Sequence, residues 1–395
     1  MRIGVAGPID ITLLRDLFPP GARLPDTYRF ALTANLARAL RDRGHEVVLF
    51  ALSREVASTR RIDGERMSAY ICPQRRPRWQ MLDFFRGERH GLRDAMRASG
   101  CEVIHAHWLY EFGSAAVDSG LPCVVTAHDI PTVVLRFARH PYWLEKPLLA
   151  WPVLRRAKCV TAVSPYVAGA LRRFVKPERE IVVIPNGTTA EVFARYEEKK
   201  PRPQGASFKF ASVLNGWSAR KNGARLIEAF GILRGEFGER VELAMFGEGH
   251  ERGGPAHQWS RRRHLEEGVE FVGPVPYASL MARLATSADV LAHPSVEESF
   301  GMAVLEAMAI GIPVIGGRNS GAVPSVLGWG EAGLLVDIES PSALVTGMRA
   351  LLLDGRLRES LAKSGRQRAL DQYRLEDVAA QYDGVLMRAV REQAA

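Results

Sequence analysis

Two glutamates spaced eight residues apart are the side chains best placed for chemistry in this sequence. Glu298 follows a strand-like run that ends near Ser295, and Glu306 lies in an apolar helical stretch closed by Gly311. An unpaired carboxylate among apolar residues is costly, which favours a functional role for Glu306. Ionised carboxylates accept several hydrogen bonds each, so the pair suits a ligand rich in hydroxyl groups.

The backbone between these glutamates offers a second set of contacts. A helix is predicted over 300–310, and the first N–H groups of a helix lack helical partners and suit hydroxyl or phosphate oxygens. Gly301 would let a ligand approach the backbone closely. In the alternative, structural interpretation, Glu298 only complements the helix dipole and Glu306 is a solvated helix residue.

A second candidate site lies at 212–223, where Arg220 and Lys221 stand between Gly216 and Gly223. A strand is predicted before this run and an amphipathic helix after it. A helix start with two cations can hold a diphosphate. The alternative is a pair of solvated cations in a surface turn.

Short apolar runs alternate with helical stretches along the whole chain. Such runs are typical of parallel strands connected by helices, and these sheets bind ligands where strand ends meet helix starts. We therefore predict an α/β fold with two doubly wound, Rossmann-like domains. The strands are predicted at 2–6, 45–52, 103–106, 123–126, 159–162, 181–184, 209–214, 241–246, 269–272, 290–293, 313–316 and 333–337.

A polar segment rich in proline and charge, residues 197–207, interrupts this alternation and marks a linker. The domain prediction assigns residues 1–190 to a first domain and 191–206 to the interdomain linker. It assigns 207–375 to a second domain and 376–395 to a C-terminal helix.

Composition sets outer limits on the class of protein. Of the 395 residues, 47% are hydrophobic and 25% charged, which excludes disordered, collagen-like and coiled-coil proteins. The four cysteines form no metal or redox motif. Neither a signal peptide nor a spanning apolar stretch is evident, so a cytoplasmic protein is expected. Residues 1–190 hold 28 basic and 18 acidic side chains against 25 and 26 in the remainder, which predicts an anionic partner for the first half.

The run from Pro294 to Ile315, P-S-x-x-E-x-F-G-x-x-x-x-E-A-M-A-x-G-x-P-V-I, resembles the signature of the family-four retaining glycosyltransferases with the GT-B fold. Other motifs of that family follow in the expected order and together cover nearly the whole chain. They include VIHAHW (103–108), TAHD (126–129), AVSPYV (162–167), VIPNG (183–187), KNGARLIEAF (221–230), FGEG (246–249) and VEFVGPVP (269–276).

The resemblance implies a donor site in the second domain. Glu306 would bind the ribose hydroxyls, Glu298 would lie beside the donor sugar, and Lys221 would contact the phosphates. Arg220 would replace the family arginine, whose position here is Gly216. The backbone of four further residues would bind the sugar hydroxyls, and that of Val275 and of residues 246–247 would lie near the base. The four residues are Ser299, Phe300, Gly301 and Met302.

The resemblance also implies that the first domain holds the acceptor, that the two domains face each other across a cleft, and that the C-terminal helix returns to the first domain. His128 would face the donor sugar. We assign Gly7 and His107 to the acceptor side and His105 to packing. His105 and His107 are expected on opposite faces of their strand, which argues against a metal pair.

The expected reaction moves a sugar from a nucleotide-sugar to an acceptor hydroxyl with retention of configuration. No D-x-D motif occurs, so no metal and no cofactor are expected. A nucleotide-sugar epimerase of the same fold is one alternative. A non-catalytic protein that binds nucleotide-sugars or nucleic acid is another, although no RNA- or DNA-binding signature is evident and no nucleic-acid partner is predicted.

Basic and aromatic residues interleave at 73–97 and 136–158. Such segments can rest on anionic lipid headgroups, so a lipid-linked, phosphorylated or other sugar acceptor and peripheral contact with the inner face of a membrane are expected. This favours a role in bacterial cell-surface polysaccharide or glycoconjugate synthesis. The alternative is ordinary solvated arginines with core aromatics. The nucleotide base, the sugar and the acceptor stay open at this point.

Overall fold

The computed structural model describes residues 1–137, 144–176, 178–199 and 205–394. The chain forms two compact units. We call Met1–Gly187 with Leu375–Ala395 the N-terminal unit and Thr188–Arg374 the C-terminal unit. Residues 138–143 of the basic segment 136–158 and residues 200–204 of the predicted linker lie outside the described residues.

The N-terminal unit is built on an eight-stranded sheet in the order β3-β4-β2-β1-β5-β6-β7-β8. Only the β3–β4 pair is antiparallel; the other neighbours run in parallel. The strands are β1 (Arg2–Ala6), β2 (Glu46–Ser53), β3 (Arg60–Gly64), β4 (Met67–Pro73), β5 (Val103–His107), β6 (Cys123–Ala127), β7 (Cys159–Ala162) and β8 (Ile181–Val183).

The C-terminal unit is built on a six-stranded parallel sheet in the order β11-β10-β9-β12-β13-β14. Its central strands are apolar and buried on both faces, as expected for strands covered by helices on either side. The strands are β9 (Phe208–Val213), β10 (Val241–Phe246), β11 (Val269–Gly273), β12 (Val290–His293), β13 (Val314–Gly317) and β14 (Leu334–Val336).

Helices connect the strands in both units. This architecture confirms the predicted α/β fold with two doubly wound sheets. The helices are α1 (Ala31–Asp42), α2 (Pro77–Leu82), α3 (Arg86–Ala98), α4 (Glu111–Ser119), α5 (Pro131–Phe137), α6 (Glu145–Arg156), α7 (Pro165–Leu171), α8 (Ala190–Ala194), α9 (Gly223–Phe237), α10 (Pro255–Arg261), α11 (Tyr277–Ser287), α12 (Met302–Ile310), α13 (Val323–Val326), α14 (Pro341–Leu353), α15 (Gly355–Gln372) and α16 (Leu375–Ala394).

Helix α16 belongs to the core of the N-terminal unit, although it follows the whole C-terminal unit in sequence. Its apolar residues, among them Val378, Tyr382 and Leu386, are buried with Ile3 and Leu36. The ring of Tyr382 packs 4.5 Å from that of His105. The amphipathic spacing of this helix is therefore satisfied by distant residues of the chain.

The predicted linker differs from the structure. The chain enters the C-terminal unit at Thr188, before residue 191, and leaves it at Arg374. Part of the predicted linker forms regular structure in that unit, as α8 and a 3₁₀ turn over Arg195–Glu198. The Lys199 side chain also donates a hydrogen bond to the carbonyl oxygen of Gly311 in the same unit. The segment was predicted as a linker from its charge and proline content. Composition does not show tertiary contacts of this kind, so the prediction placed the boundary too late in the chain.

Two local elements differ from the sequence predictions. The spacing of Leu32, Leu36 and Leu40 predicts a helix over 27–42, but α1 begins at Ala31. The Thr27 hydroxyl instead donates to the carbonyl oxygen of Ile9 and accepts from the backbone N–H of Ile11. The β3–β4 hairpin was not predicted. In β3 only Ile62 is buried among charged neighbours, so its sequence carries almost no apolar alternation. Within the described residues, no helix has the length and apolar character needed to cross a bilayer.

Candidate functional site

The loops after β9 and β12 meet because these strands are neighbours in the C-terminal sheet and the strand order reverses there. The backbone N–H of Val296 donates to the carbonyl oxygen of Arg220 at 2.8 Å. Lys221 Nζ donates to Glu298 Oε1 at 2.6 Å. Arg220 Nη1 donates to the carbonyl oxygen of Glu297 at 3.2 Å. Both cations of the second candidate site therefore lie beside the glutamate loop of the first.

Glu298 is held as a carboxylate. Burial alone would raise its pKa, but the neighbouring His293 and the Lys221 ammonium outweigh burial and hold the pKa well below its usual range. His293 Nε2 lies 3.5 Å from Glu298 Oε1. Both side chains of the Lys221–Glu298 pair are largely buried. The two opposite charges are therefore held next to each other at the strand ends.

Helix α12 starts directly after this loop. Gly301 is its N-terminal cap with φ of 102°, a left-handed conformation that favours glycine. The helix begins at Met302, two residues later than predicted, so Glu298 and Ser299 lie in the preceding loop. Phe300 is buried and its ring packs edge-on, 5.7 Å from that of Tyr373. The start of α12 is thereby anchored, with its first N–H groups at the carboxyl edge of the sheet.

Glu306 lies inside α12 and is almost fully buried. Tyr277, the first residue of α11, donates its hydroxyl to Glu306 Oε1 at 2.8 Å. Burial raises the pKa of Glu306 to about 7, although the Tyr277 hydrogen bond acts to lower it. Val275, two residues before Tyr277, is half-buried in the loop after β11. A buried carboxylate with a single neutral donor has capacity for further hydroxyl groups.

Gly216 lies in the loop after β9 with φ of 90°. Its N–H donates to the carbonyl oxygen of Glu248 at 3.0 Å, which ties this loop to the one after β10. Arg220, four residues further on, is about one-third exposed and also lies 3.8 Å from the Glu297 carboxylate.

The candidate histidines pack ring against ring in the N-terminal unit, with His105 and His107 buried and His128 half-buried. His107 Nδ1 and His128 Nε2 share a hydrogen bond of 2.8 Å, and His105 Nε2 is bonded to the Thr126 hydroxyl at 2.8 Å. Burial lowers the pKa of His128 and of His105 to about 3, and that of His107 well below its usual range. All three rings are therefore neutral at physiological pH.

The expectation that His105 and His107 point to opposite faces was wrong. Residues two apart in a strand share a face, and the two ring centroids lie 4.2 Å apart. His107 is almost fully buried beneath His128. Among the described residues, no group of three or more His, Cys, Asp or Glu side chains could hold a metal ion.

Gly7 follows β1 and lies against β5, its neighbour at the reversal of strand order in the N-terminal sheet. A Cβ atom at this position would lie 2.9 Å from Cβ of His107, so only glycine allows this packing. Gly7 also lines a cavity with Trp108. The predicted site residues thus form two groups, one in each unit.

Two family models match the chain, one described as "Glycosyltransferase Family 4" over residues 31–192 and one as "Glycosyl transferases group 1" over residues 196–368. Together they span most of both units. The chain belongs to the family-four, group 1 glycosyltransferases. This confirms the resemblance read from the sequence motifs.

Similar proteins are found among curated relatives and among solved structures. The N-acetyl-alpha-D-glucosaminyl L-malate synthase of Bacillus anthracis is 26% identical over 60% of this chain, and the match spans 62% of that relative's length. The sucrose-phosphate synthase structure from Thermosynechococcus elongatus matches with a TM-score of 0.77 at 19% identity, covering 98% of each chain. Anabaena HepE, solved with UDP-glucose, matches with a TM-score of 0.70 at 19% identity, covering 98% of this chain and all of that one. These neighbours establish the GT-B fold.

Sequence reasoning missed several polar residues that the structure places at these strand ends. Tyr277 and His293 contact the two glutamates, yet each stands alone in sequence. Asp129, which accepts a hydrogen bond from Tyr110, follows directly after His128 in the TAHD motif. That position at a strand end was the one signal that pointed to it.

Proposed function

We propose that this protein transfers a sugar from a nucleotide-sugar donor to an acceptor hydroxyl with retention of configuration. The observation that carries the proposal is the buried Lys221–Glu298 pair at the reversal of strand order, directly before the N-terminus of α12. Cations and helix N–H groups suit phosphate oxygens, and carboxylates suit sugar hydroxyls, so together they suit a sugar diphosphate.

The donor would lie along the carboxyl edge of the C-terminal sheet. Lys221 and Arg220 would face the diphosphate, and Glu306 would accept the ribose hydroxyls. The backbone from Ser299 to Met302 would contact the sugar, and the loops that contain Gly216 and Val275 would flank the nucleotide. The position of the other groups in loops at the strand ends, and of Glu306 in the helix that follows β12, supports this arrangement.

The chemical step would use no covalent nucleophile from the protein. Glu298 is committed to Lys221, which supports an electrostatic role for the carboxylate. The departing diphosphate oxygen would take the proton of the acceptor hydroxyl while the new bond forms on the same face of the sugar. Lys221 and Arg220 would stabilise the charge that develops on the leaving group. His128, neutral and held by His107, would hydrogen-bond the donor sugar.

Metal independence is part of the proposal, because Lys221 and Arg220 supply positive charge where the leaving group develops its negative charge. The test is transfer by enzyme treated with a chelator. Unchanged kcat supports the proposal, whereas loss of activity that added magnesium or manganese restores would refute it.

An acceptor held at a membrane is supported by a surface that we call the α6 face, made of Leu144, Leu148, Trp151, Arg155 and Phe174. The first three are 62%, 61% and 46% exposed. The Trp151 and Phe174 rings lie 5.3 Å apart, with the Arg155 guanidinium over Trp151. Exposed apolar groups flanked by arginines suit anionic headgroups, so we propose peripheral contact with the cytoplasmic leaflet and a role in glycoconjugate synthesis.

The decisive experiment is a calorimetric screen of UDP-, GDP-, ADP- and dTDP-sugars, followed by product analysis. UDP-glucose comes first, because a structural neighbour was solved with it. The expected result is saturable binding of one nucleotide class and, with acceptor, a product of the donor's anomeric configuration. An inverted product would refute retention. An epimerised nucleotide-sugar formed without acceptor would establish the epimerase instead.

A further inference from the structure

The N-terminal unit contains a cavity of about 390 Å³ at the carboxyl ends of β1, β5 and β6. This volume lies within the roughly 300–1,000 Å³ typical of small-molecule sites. We call it the β1–β5 cavity. Its walls are aromatic, with a small number of charged groups. The residues that matter for its chemistry are Tyr28, Trp108, Tyr110, Glu111, Asp129 and Lys146.

Two carboxyl groups line the β1–β5 cavity. Asp129 Oδ1 accepts a hydrogen bond from the Tyr110 hydroxyl at 2.7 Å. Glu111 is only 8% exposed, and its Oε2 is buried with no hydrogen-bond partner among the described residues. A buried acceptor oxygen without a donor is costly, so a ligand hydroxyl would complete the site.

Lys146, the one cation among the described residues of the cavity wall, already has partners. Lys146 is 5% exposed, and its ammonium lies 3.7 Å from Glu111 Oε2. It also lies over the Tyr110 ring at 4.1 Å and the Phe85 ring at 4.9 Å. A phosphate in the cavity would meet the carboxyl groups of Glu111 and Asp129, so the charge balance disfavours an anionic group there.

The aromatic walls complete the site. The Tyr28 and Trp108 rings meet edge to face, with centroids 5.6 Å apart. Trp108 has a φ of 71°, a left-handed conformation that is rare for a residue with a Cβ atom and that clusters at ligand-binding and active sites. It turns the chain directly after β5. The apolar face of a sugar ring can pack on such walls while its hydroxyls reach the carboxylates.

Among the described residues, no arginine lines the β1–β5 cavity. Gln74 lines both the β1–β5 cavity and an adjoining groove whose other residues include Arg54, Arg76 and Arg78. If the acceptor carries a charged group, that group would therefore lie in this groove, outside the cavity that holds the ring.

We propose that the β1–β5 cavity binds the acceptor as an uncharged, hydroxylated ring, a sugar or a cyclic polyol, whose hydroxyls bond to Glu111 and Asp129 while Trp108 packs on its apolar face. This inference rests on the proposed function, because it names the acceptor of that reaction. The net charge of the first half predicted an anionic partner. Under this inference, the negative charge would belong to another part of the acceptor, because the bound ring itself carries no phosphate.

Binding is tested first without donor. Saturation-transfer NMR is recorded with glucose, myo-inositol and their monophosphates as separate probes. The neutral compounds should show transfer that Glu111→Gln or Trp108→Phe abolishes, whereas the phosphates should show at least about tenfold weaker binding, the loss expected from one unfavourable charged contact. Glu65→Gln is the matched control, because Glu65 is exposed on the same unit. Stronger binding of the phosphates would overturn the inference.

Transfer kinetics then place the cavity in the reaction. Glu111→Gln should raise the acceptor KM at least about tenfold, with nucleotide-sugar affinity and donor hydrolysis unchanged. Asp129→Asn is the second variant and serves if Glu111→Gln fails to fold. An acceptor KM equal to that of Glu65→Gln in both variants would overturn the inference. Absence of nucleotide-sugar binding in the wild type would instead refute the proposed function, while the donor-free NMR would still decide whether the cavity binds neutral rings.

Discussion

Lys221 and Glu298 depend on each other for charge compensation. Lys221→Ala should lower kcat about 100- to 1,000-fold, the range typical of losing one group that stabilises transition-state charge. It also leaves the Glu298 carboxylate without its ammonium partner, so the variant should be less stable as well.

The double variant Lys221→Ala with Glu298→Gln separates these effects. Removing both charges should restore the unfolding midpoint in denaturant while kcat stays low. Lys209→Ala is the control, because Lys209 lies 3.1 Å from Glu242 in the same unit but away from the site. Near-normal kcat in the double variant would refute the phosphate role of Lys221.

If Glu306 binds the donor as proposed, nucleotide affinity should depend on pH. Its pKa is raised to about 7 by burial, and the proposed ribose contact uses the ionised form. Nucleotide affinity should therefore fall as the pH is lowered from about 8 to about 6, approaching tenfold per unit below the pKa. Isothermal calorimetry should show this slope in the wild type and a weak, pH-independent affinity in Glu306→Gln.

The same raised pKa predicts the opposite trend for the stability of the free protein. A carboxyl group with a raised pKa in the folded state contributes stability at low pH and loses it as the pH rises through about 7. Glu306→Gln should therefore raise Tm more at a pH of about 8 than at about 5. Glu239→Gln, on the surface of the same unit, should change neither trend. A pH-independent difference in Tm would contradict the assigned cause.

At the scale of elements, the start of α12 depends on the conformation of Gly301. A Cβ atom there would meet no neighbour closer than 3.5 Å, so the cost of Gly301→Ala comes from its φ of 102°. We expect a loss of about 1–2 kcal/mol in the free energy of unfolding. Gly235→Ala, in the interior of α9 with open space at its Cβ, should instead gain about 0.5–1 kcal/mol. Equal changes in the two variants would argue against backbone strain.

Helix α16 should contribute strongly to the stability of the N-terminal unit. Leu386 is fully buried in that core, so Leu386→Ala should cost about 2–5 kcal/mol. Its neighbour Met387 is 37% exposed, and Met387→Ala should have little effect. Denaturant unfolding followed by circular dichroism provides the comparison. Similar losses in both variants would show that the helix is not packed as described.

At the scale of the whole molecule, the excess of basic over acidic side chains lies almost entirely in the N-terminal unit, and so do most of the exposed large apolar side chains among the described residues. Co-sedimentation with anionic vesicles should show binding that weakens as salt rises, since lipid electrostatics are screened within about 10 Å at 0.1 M salt. Leu148→Ser with Trp151→Ser should reduce binding several-fold. Trp329→Ser is the control, because Trp329 is 76% exposed in the C-terminal unit. No binding at low salt would exclude the membrane proposal.

The α/β fold was predictable because buried parallel strands are nearly continuous apolar runs. Strands β1, β7, β10 and β12 have the predicted bounds. Strand β3 was missed because a charged edge strand lacks such a run. The sequence singled out Glu298 and Glu306 because Glu306 stands out within an apolar helix and Glu298 precedes that helix; their contact with a donor stays a prediction.

By itself, the sequence determined the fold class, the family, the loops that carry Lys221 and Glu298, and the helix that carries Glu306, since each depends on local pattern. Only the tertiary structure decided which residues meet. Tyr277, in α11, donates a hydrogen bond to Glu306, in α12. His107, at the end of β5, lies beneath His128, which follows the neighbouring strand β6. Glu111, Asp129 and Lys146 line one cavity because α4, the end of β6 and α6 meet there. Such contacts join residues far apart in sequence, and their geometry is fixed by sheet order and packing, which local pattern does not encode.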